Sequence, residues 1–144
     1  MEDDLARRVA ERLISLEGTA GAWNLMLEDV REGYARVSMT LRADMLNGHR
    51  TAHGGMIFAL ADSAFAYACN SRNELTVAQQ ASILFLAPAH EGDILVAEAR
   101  EDARAGRAGA YSVIVAIRGG GPIAQFQGLS RTTGGRVLSK QEQE

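Results

Sequence analysis

Residues 47–71 of the chain read NGHRTAHGGMIFALADSAFAYACNS. After the glycine pair Gly54-Gly55, this stretch predicts a helix that is apolar almost all the way round. One face of a sheet cannot cover such a helix completely. Either the sheet curls around the helix or a second subunit covers the remaining side. A single carboxylate, Asp62, lies in the middle of the apolar run, where a charge is unexpected.

The segments on either side predict a helix and two strands before the long helix and four strands after it. Residues 4–16 place leucine and valine at helical spacing, and residues 22–30 and 34–41 predict a hairpin around a short glycine-containing turn. The later strands are predicted at residues 75–88, 93–104, 110–118 and 123–133, separated by turns rich in proline and glycine. A six-stranded sheet with one long helix on its face is an α+β layout.

Length and composition place further bounds on the protein. The 144 residues predict a single domain over 1–144, with an N-terminal helix over 1–18 and a polar tail over 136–144 that we expect to fray. The one cysteine, Cys69, excludes an internal disulfide and is interpreted as core packing.

Charge and hydropathy restrict the partners and the cellular location that we expect. The net charge of −3 argues against a nucleic-acid partner, since nucleic-acid-binding domains usually carry a strongly basic face. The acidic N-terminus is not a secretory signal, and no apolar run is long enough to span a membrane. We therefore expect a cytoplasmic protein without membrane contact.

Two features of the long helix indicate chemistry. Its first amides have no intrahelical partner and lie at the positive end of the helix dipole, which suits them to polarise a carbonyl oxygen. Asp62 has no basic neighbour in its apolar run, so it is a candidate general base or nucleophile. The alternatives are a tight junction for Gly54-Gly55 and a structural hydrogen bond or buried arginine for Asp62.

The spacing of Gly55 and Asp62 indicates how they would cooperate. Seven residues separate them, which places both on one helix face but ~10 Å apart along the axis. One small carbonyl cannot contact both within one chain. If two such helices pack antiparallel about a two-fold axis, Gly55 of one subunit faces Asp62 of the other. We therefore predict a homodimer with two equal sites.

The stretch NGHRTAHGG followed by LADSAFAYACNS closely resembles the acyl-CoA thioesterases of the hotdog fold, with the phenylacetate-pathway (PaaI-type) branch nearest. The resemblance runs from about residue 23 to 133. It implies a curved antiparallel sheet of five to six strands wrapped around one long central helix, and dimers that associate into a homotetramer. It also implies hydrolysis of acyl-CoA, with aryl-acetyl groups such as phenylacetyl-CoA or hydroxyphenylacetyl-CoA favoured. No cofactor is expected, because coenzyme A is part of the substrate.

The resemblance assigns roles to particular residues. Asp62 matches the carboxylate that activates water or attacks the thioester carbonyl, and it leaves these two mechanisms open. Gly55 matches the amide that polarises the carbonyl, with Gly54 next to it. Asn47 matches the side chain that orients the thioester or water, and His53 matches the motif histidine, which supports the loop rather than acting as base.

Candidate substrate-binding residues lie further along the chain. Some relatives use a Ser or Thr on the strand after the helix. Here Ala78 occupies one equivalent position, and Gln80 or Gln79 is the candidate to line the pocket instead. Arg72 is the candidate contact for the phosphates of coenzyme A. Phe58 is a candidate for the wall of the acyl pocket.

Other groups of residues give weaker indications of a function. His49 and His53 have i, i+4 spacing but lie in a loop without a third ligand, so no metal site is expected. Two other functions stay open: a non-catalytic acyl-CoA-binding sensor, and a hydroxyacyl thioester dehydratase. Sensors on this fold typically carry a DNA-binding unit, and the dehydratase reaction favours a histidine acting on the α-carbon.

Overall fold

The computed structural model describes residues 2–144. Helices α1 and α2 come first, a strand pair follows, and the long helix α3 precedes four further strands and a last helical turn, α4. The bounds are α1 Glu2–Leu16, α2 Gly18–Ala22, β1 Met26–Arg31, β2 Tyr34–Thr40, α3 Gly54–Cys69, β3 Thr76–Phe85, β4 Ile94–Ala105, β5 Ala108–Ile117, β6 Pro122–Thr132 and α4 Lys140–Gln143. No helix within residues 2–144 combines the length and apolar character needed to cross a bilayer.

The six strands form one antiparallel sheet in the order β1-β2-β4-β5-β6-β3. Helix α3 packs against all six strands, so the sheet folds around the helix. The predicted α+β layout, with six strands and one central helix, is confirmed. Every predicted strand is present, with ends displaced by a few residues at most except in β1.

The core lies between α3 and the inner face of the sheet. Leu60, Phe65 and Tyr67 of α3 are fully buried, and Phe65 packs against the rings of Phe126 and Tyr111. Burying each such side chain contributes about 1.5–3 kcal/mol. A Cβ at Gly128 of β6 would lie 2.7 Å from the Phe65 ring, so glycine at this position allows the helix to approach the sheet closely.

The β1–β2 hairpin has the predicted turn but a shorter first strand. Arg31 pairs with Tyr34 around a two-residue turn, in which Gly33 has φ 71°. The predicted start of the strand at residue 22 is wrong, because residues 18–22 form α2 and Asn24 reverses the chain direction with φ 52°. Poor helix formers such as glycine and threonine hid this helix from the sequence pattern.

The two chain ends differ in part from the predictions. The first helix ends at Leu16, and residue 1 of the predicted span lies outside the described residues. Fraying of the polar tail stays a prediction, but contacts that the sequence did not indicate hold the chain just before it and at its start. Asn73 binds the backbone of residues 137–138, Leu138 is buried, and Ser139 caps α4. These contacts join residues about 65 positions apart, which local composition cannot reveal.

One edge of the sheet is left uncovered. Helix α1 packs on β1, but β3 pairs only with β6. Apolar side chains on and just after β3 are exposed: Leu84 by 64%, Phe85 by 54% and Leu86 by 58%. An open strand edge with exposed apolar side chains is a typical association surface.

Candidate active site

The loop before α3 is organised around Asn47. Its side-chain oxygen accepts the amides of His49 (2.9 Å) and Thr51 (3.2 Å), and its side-chain nitrogen donates to the Thr51 hydroxyl (3.0 Å). A backbone bridge between Leu46 and Ala52 closes the loop. Asn47 therefore holds a fixed position, and one of its two side-chain N–H groups has no acceptor among the described residues.

His53 caps the start of α3. Its carbonyl accepts the amides of Met56 and Ile57, and its Nδ1 accepts the amide of Gly55 at 2.9 Å. A neutral imidazole with Nδ1 as acceptor carries its proton on Nε2. His53 is exposed, so the ring that accepts the Gly55 amide borders solvent.

Both glycines at the helix start have close side-chain neighbours. A Cβ at Gly54 would lie 3.0 Å from the Phe85 ring, and a Cβ at Gly55 would lie 3.0 Å from the His53 Nδ1. Phe85 brings the end of β3 against the helix start. Together with Asn47 and Gly54, it lines a groove of about 380 Å³.

Asp62 lies two turns further along α3. It is half-buried, and its carboxylate has no hydrogen-bond donor or cation among the described residues. Burial raises the pKa of Asp62, and the negative charge of Glu17 raises it further. A carboxylate held in this way is poised to accept a proton, which is the property required of a general base.

The protomer brings together only part of the predicted site. Asn47, His53, Gly54 and Gly55 meet at the start of α3. Asp62 lies ~10 Å away along the helix axis, on the face that Gly55 shares.

Comparison with known proteins identifies the family. Residues 49–122, which are half of the chain and include the helix start and Asp62, match the model of the Thioesterase superfamily. The chain belongs to this thioesterase superfamily. It is a thioester hydrolase with a hotdog fold, as the sequence resemblance predicted.

Individual relatives agree with this assignment. The chain is 38% identical to the Acyl-coenzyme A thioesterase PaaI of Escherichia coli (strain K12), over 91% of this chain and 94% of that protein. The structure of the E. coli PaaI protein from the phenylacetic acid degradation operon superimposes with a TM-score of 0.92, at 37% identity, covering 94% of this chain and 99% of that one. A Streptococcus mutans UA159 protein whose structure is bound to acetyl CoA gives a TM-score of 0.75 at 26% identity, covering 78% and 91% of the two chains.

The thioesterase places two predicted substrate-binding residues away from the helix start. Arg72 donates to both carboxylate oxygens of Glu101, at 2.7 and 3.0 Å, and its Nε pairs with Glu32 at 3.1 Å. Gln80 lines a different groove with Ser82, on the exposed side of β3. These contacts do not test the predicted roles, so substrate binding by Arg72 and Gln80 stays a prediction.

The remaining predictions concern an aromatic wall and a metal. Phe58 is half-buried and packs edge-on against Phe126, with ring centroids 5.3 Å apart. Its place in an acyl pocket stays a prediction. Within the described part of the thioesterase, no group of three His, Cys, Asp or Glu residues is arranged to hold a metal ion.

Glu17 is a feature that the sequence did not indicate. It lies between α1 and α2 and accepts hydrogen bonds from Tyr67 (2.8 Å) and Ser63 (3.3 Å) of α3. It therefore lies beside the face of the helix that carries Asp62. The sequence separation of about 50 residues left no local signal for this contact.

Proposed function

We propose that this thioesterase hydrolyses acyl-CoA to the free acid and coenzyme A, with Asp62 as the reacting carboxylate. The observation that carries the proposal is the state of Asp62, a half-buried carboxylate without a donor or cation among the described residues. Leaving such a group unsatisfied is unfavourable, and a structural role would provide it with a partner. A role in catalysis accounts for its isolation.

The relatives support the choice of substrate. E. coli PaaI is an acyl-coenzyme A thioesterase, its structure is that of a protein from a phenylacetic acid degradation operon, and the Streptococcus mutans structure holds acetyl CoA. We therefore extend the proposal to acyl-CoA substrates, with aryl-acetyl groups such as phenylacetyl-CoA first among them. The enzyme acts in the cytoplasm without a cofactor, since coenzyme A enters as part of the substrate.

In this proposal the site is shared between two protomers. The open edge of β3, with exposed Leu84 and Phe85, is the surface across which a second copy pairs. Two-fold pairing sets the α3 helices antiparallel, and Asp62 of one copy then faces the helix start of the other. Two such dimers associate into a homotetramer, as the family resemblance implies.

The reaction begins when the thioester oxygen accepts a hydrogen bond from the amide of Gly55. The imidazole of His53 occupies that amide in the free protomer, so substrate displaces the ring. The free N–H of Asn47 then orients the thioester or the water. These donors stabilise the negative charge that develops on the oxygen.

Asp62 supplies the second half of the chemistry. As a base it takes a proton from water while the water oxygen bonds to the carbonyl carbon. The C–S bond then breaks, and the coenzyme A sulfur leaves with a proton. As a nucleophile it bonds to the carbonyl carbon itself, expels the thiolate, and forms an anhydride that water cleaves.

A panel of acyl-CoA substrates tests the proposal through release of free thiol. We expect thiol release from aryl-acetyl-CoA at a higher kcat/KM than from short aliphatic acyl-CoA, and none above background with Asp62→Asn. Binding without thiol release would instead indicate a sensor. An enoyl product that keeps its thioester would indicate a dehydratase.

Isotope labelling distinguishes the two mechanisms. A single turnover in H₂¹⁸O incorporates ¹⁸O into the carboxylate of Asp62 if the anhydride forms and water attacks its aspartyl carbon. Repeated turnovers followed by mass spectrometry of the Asp62 peptide enrich this label. An unlabelled carboxylate after many turnovers excludes an anhydride that water cleaves at the aspartyl carbon, and trapping with hydroxylamine then tests for an anhydride that is cleaved at the substrate carbon.

A further inference from the structure

Glu17 stands out among the carboxylates of the chain by its surroundings. Its partners are hydroxyl groups, from Tyr67 (2.8 Å), Thr19 (2.7 Å) and Ser63 (3.3 Å). It forms no ion pair with any described residue, whereas Glu28, Glu74 and Glu101 each pair with an arginine. Glu17 therefore keeps an uncompensated negative charge.

The place of this charge is fixed by α3. Tyr67 is fully buried and Ser63 is 8% exposed, so their hydroxyls hold the Glu17 carboxylate in one position against the helix. Ser63 directly follows Asp62 in the chain. The Glu17 carboxylate thus lies close to the part of α3 that carries Asp62, and the two like charges repel each other.

We propose that Glu17 is a positioning residue of the thioesterase reaction, which holds a fixed negative charge beside Asp62 and so makes Asp62 a stronger proton acceptor. This inference rests on the proposed function of Asp62. It gives the segment between α1 and α2 a part in catalysis although this segment does not touch the substrate.

The direction of the effect follows from like charges. Ionised Glu17 disfavours the ionised form of Asp62, which raises the pKa of Asp62 beyond what burial alone achieves. The charge of Glu17 is the one that raises the pKa of Asp62 beside burial, and the neighbouring titratable groups on α3 are the buried Cys69 thiol and Tyr67 phenol. A base with a higher pKa drives proton transfer more strongly.

A purely structural role is the competing explanation. Glu17 ties α1 and α2 to α3 through Tyr67, and loss of this tie would lower stability without changing the titration of Asp62. Glu17→Gln keeps the size and an acceptor oxygen for Tyr67 but removes the charge. Tyr67→Phe keeps the charge and removes the strongest tie between Glu17 and α3.

The test is the pH profile of kcat with the best substrate of the thiol-release panel, measured on the full-length variants. Because Asp62 must be ionised to act, kcat falls at low pH as Asp62 becomes protonated. In Glu17→Gln we expect this acid limb to move to lower pH and the plateau kcat to fall. In Tyr67→Phe the Glu17 carboxylate keeps its charge but loses its shortest hydrogen bond to α3, so we expect a smaller shift of the limb in the same direction together with a lower melting temperature. Glu17→Met, a second neutral variant, has to show the same shift as Glu17→Gln.

A direct titration of Asp62 supplies a readout besides activity. Its carboxyl carbon, followed by NMR in protein labelled with ¹³C-aspartate and assigned with Asp62→Asn, should titrate at lower pH in Glu17→Gln than in the wild type. An unchanged titration and an unchanged acid limb in the neutral variants would overturn the inference while leaving the role of Asp62 intact. Full turnover in Asp62→Asn would instead overturn the proposed function, and this inference with it.

Discussion

Asp62 and Glu101 are both partly buried carboxylates near α3, yet their surroundings are opposite. Glu101 accepts two hydrogen bonds from Arg72 and one from Tyr111 at 2.9 Å, and these partners hold its pKa below the usual range. Asp62 has no such partner, and burial together with Glu17 raises its pKa. The comparison teaches that this fold does supply arginine to a carboxylate that serves stability. No described arginine pairs with Asp62, and this indicates a catalytic rather than a structural role for Asp62.

The largest expected effect is loss of turnover on neutralising Asp62. Asp62→Asn keeps the shape of the side chain but cannot accept the proton, so kcat should fall by about 10²–10⁴-fold. The pKa of Asp62 is raised on folding, so its ionised form destabilises the fold at neutral pH. The same variant should therefore melt at a temperature equal to or above that of the wild type, as measured by calorimetry. Loss of activity together with a lower melting temperature would contradict the comparison.

The next effect concerns the amide of Gly55. Gly55→Pro removes this N–H at a first-turn position, where proline is tolerated, and kcat should fall by about 10²–10³-fold. Gly55→Ala is the matched control, because it also places a Cβ against His53 but keeps the amide. Equal losses of kcat in the two variants, with circular dichroism unchanged, would argue that the amide takes no part.

Glu101 should show the reverse behaviour of Asp62. Glu101→Gln weakens the charged hydrogen bonds to Arg72, so the free energy of unfolding should fall by about 1–3 kcal/mol in urea titrations while kcat is unchanged. Glu11→Gln, which removes an exposed helical pair with Arg7, is the control and should lower it by only about 0.3–0.5 kcal/mol. If Glu101→Gln instead lowered kcat and left the free energy of unfolding unchanged, Glu101 would not have the purely structural role that distinguishes it from Asp62.

The smallest effect is on stability in acid. Because the pKa of Glu101 is lowered on folding, its contribution is present above the pKa of the unfolded chain and is lost as pH falls through the folded value. The stability of Glu101→Gln should therefore depend less on pH in this window than that of the wild type. Parallel curves of unfolding free energy against pH would show that the Arg72 pairing does not act in this way.

The sequence predicted the parts of this molecule that depend on local patterns. The apolar run after Gly54-Gly55 defined α3, and turns with glycine and proline separated β3 to β6. The fold class and the start of the helix could therefore both be predicted. The cap that His53 provides lies within two residues of its partner. The sequence still did not predict that the His53 ring accepts the Gly55 amide, because this hydrogen bond depends on the orientation of the ring.

The rest depends on contacts between distant residues. Glu17 reaches Tyr67 across 50 positions, and Asn73 anchors Leu138 across 65. The pairing of Arg72 with Glu101, which lies 29 residues away, likewise left no local signal in the sequence. Side-chain pairing of this kind is decided by how distant segments of the chain pack together, which local periodicity does not specify.

Mixing two inactive variants tests the central claim that Asp62 acts on a thioester held by the partner's helix start. Asp62→Asn and Gly55→Pro carry different tags, are unfolded together and refolded, and the mixed oligomers are isolated through both tags. Random pairing makes half of the dimers mixed, each with one intact site of two, so the unfractionated mixture should regain about a quarter of wild-type activity. Mixed oligomers that form but stay inactive would contradict a site shared between protomers.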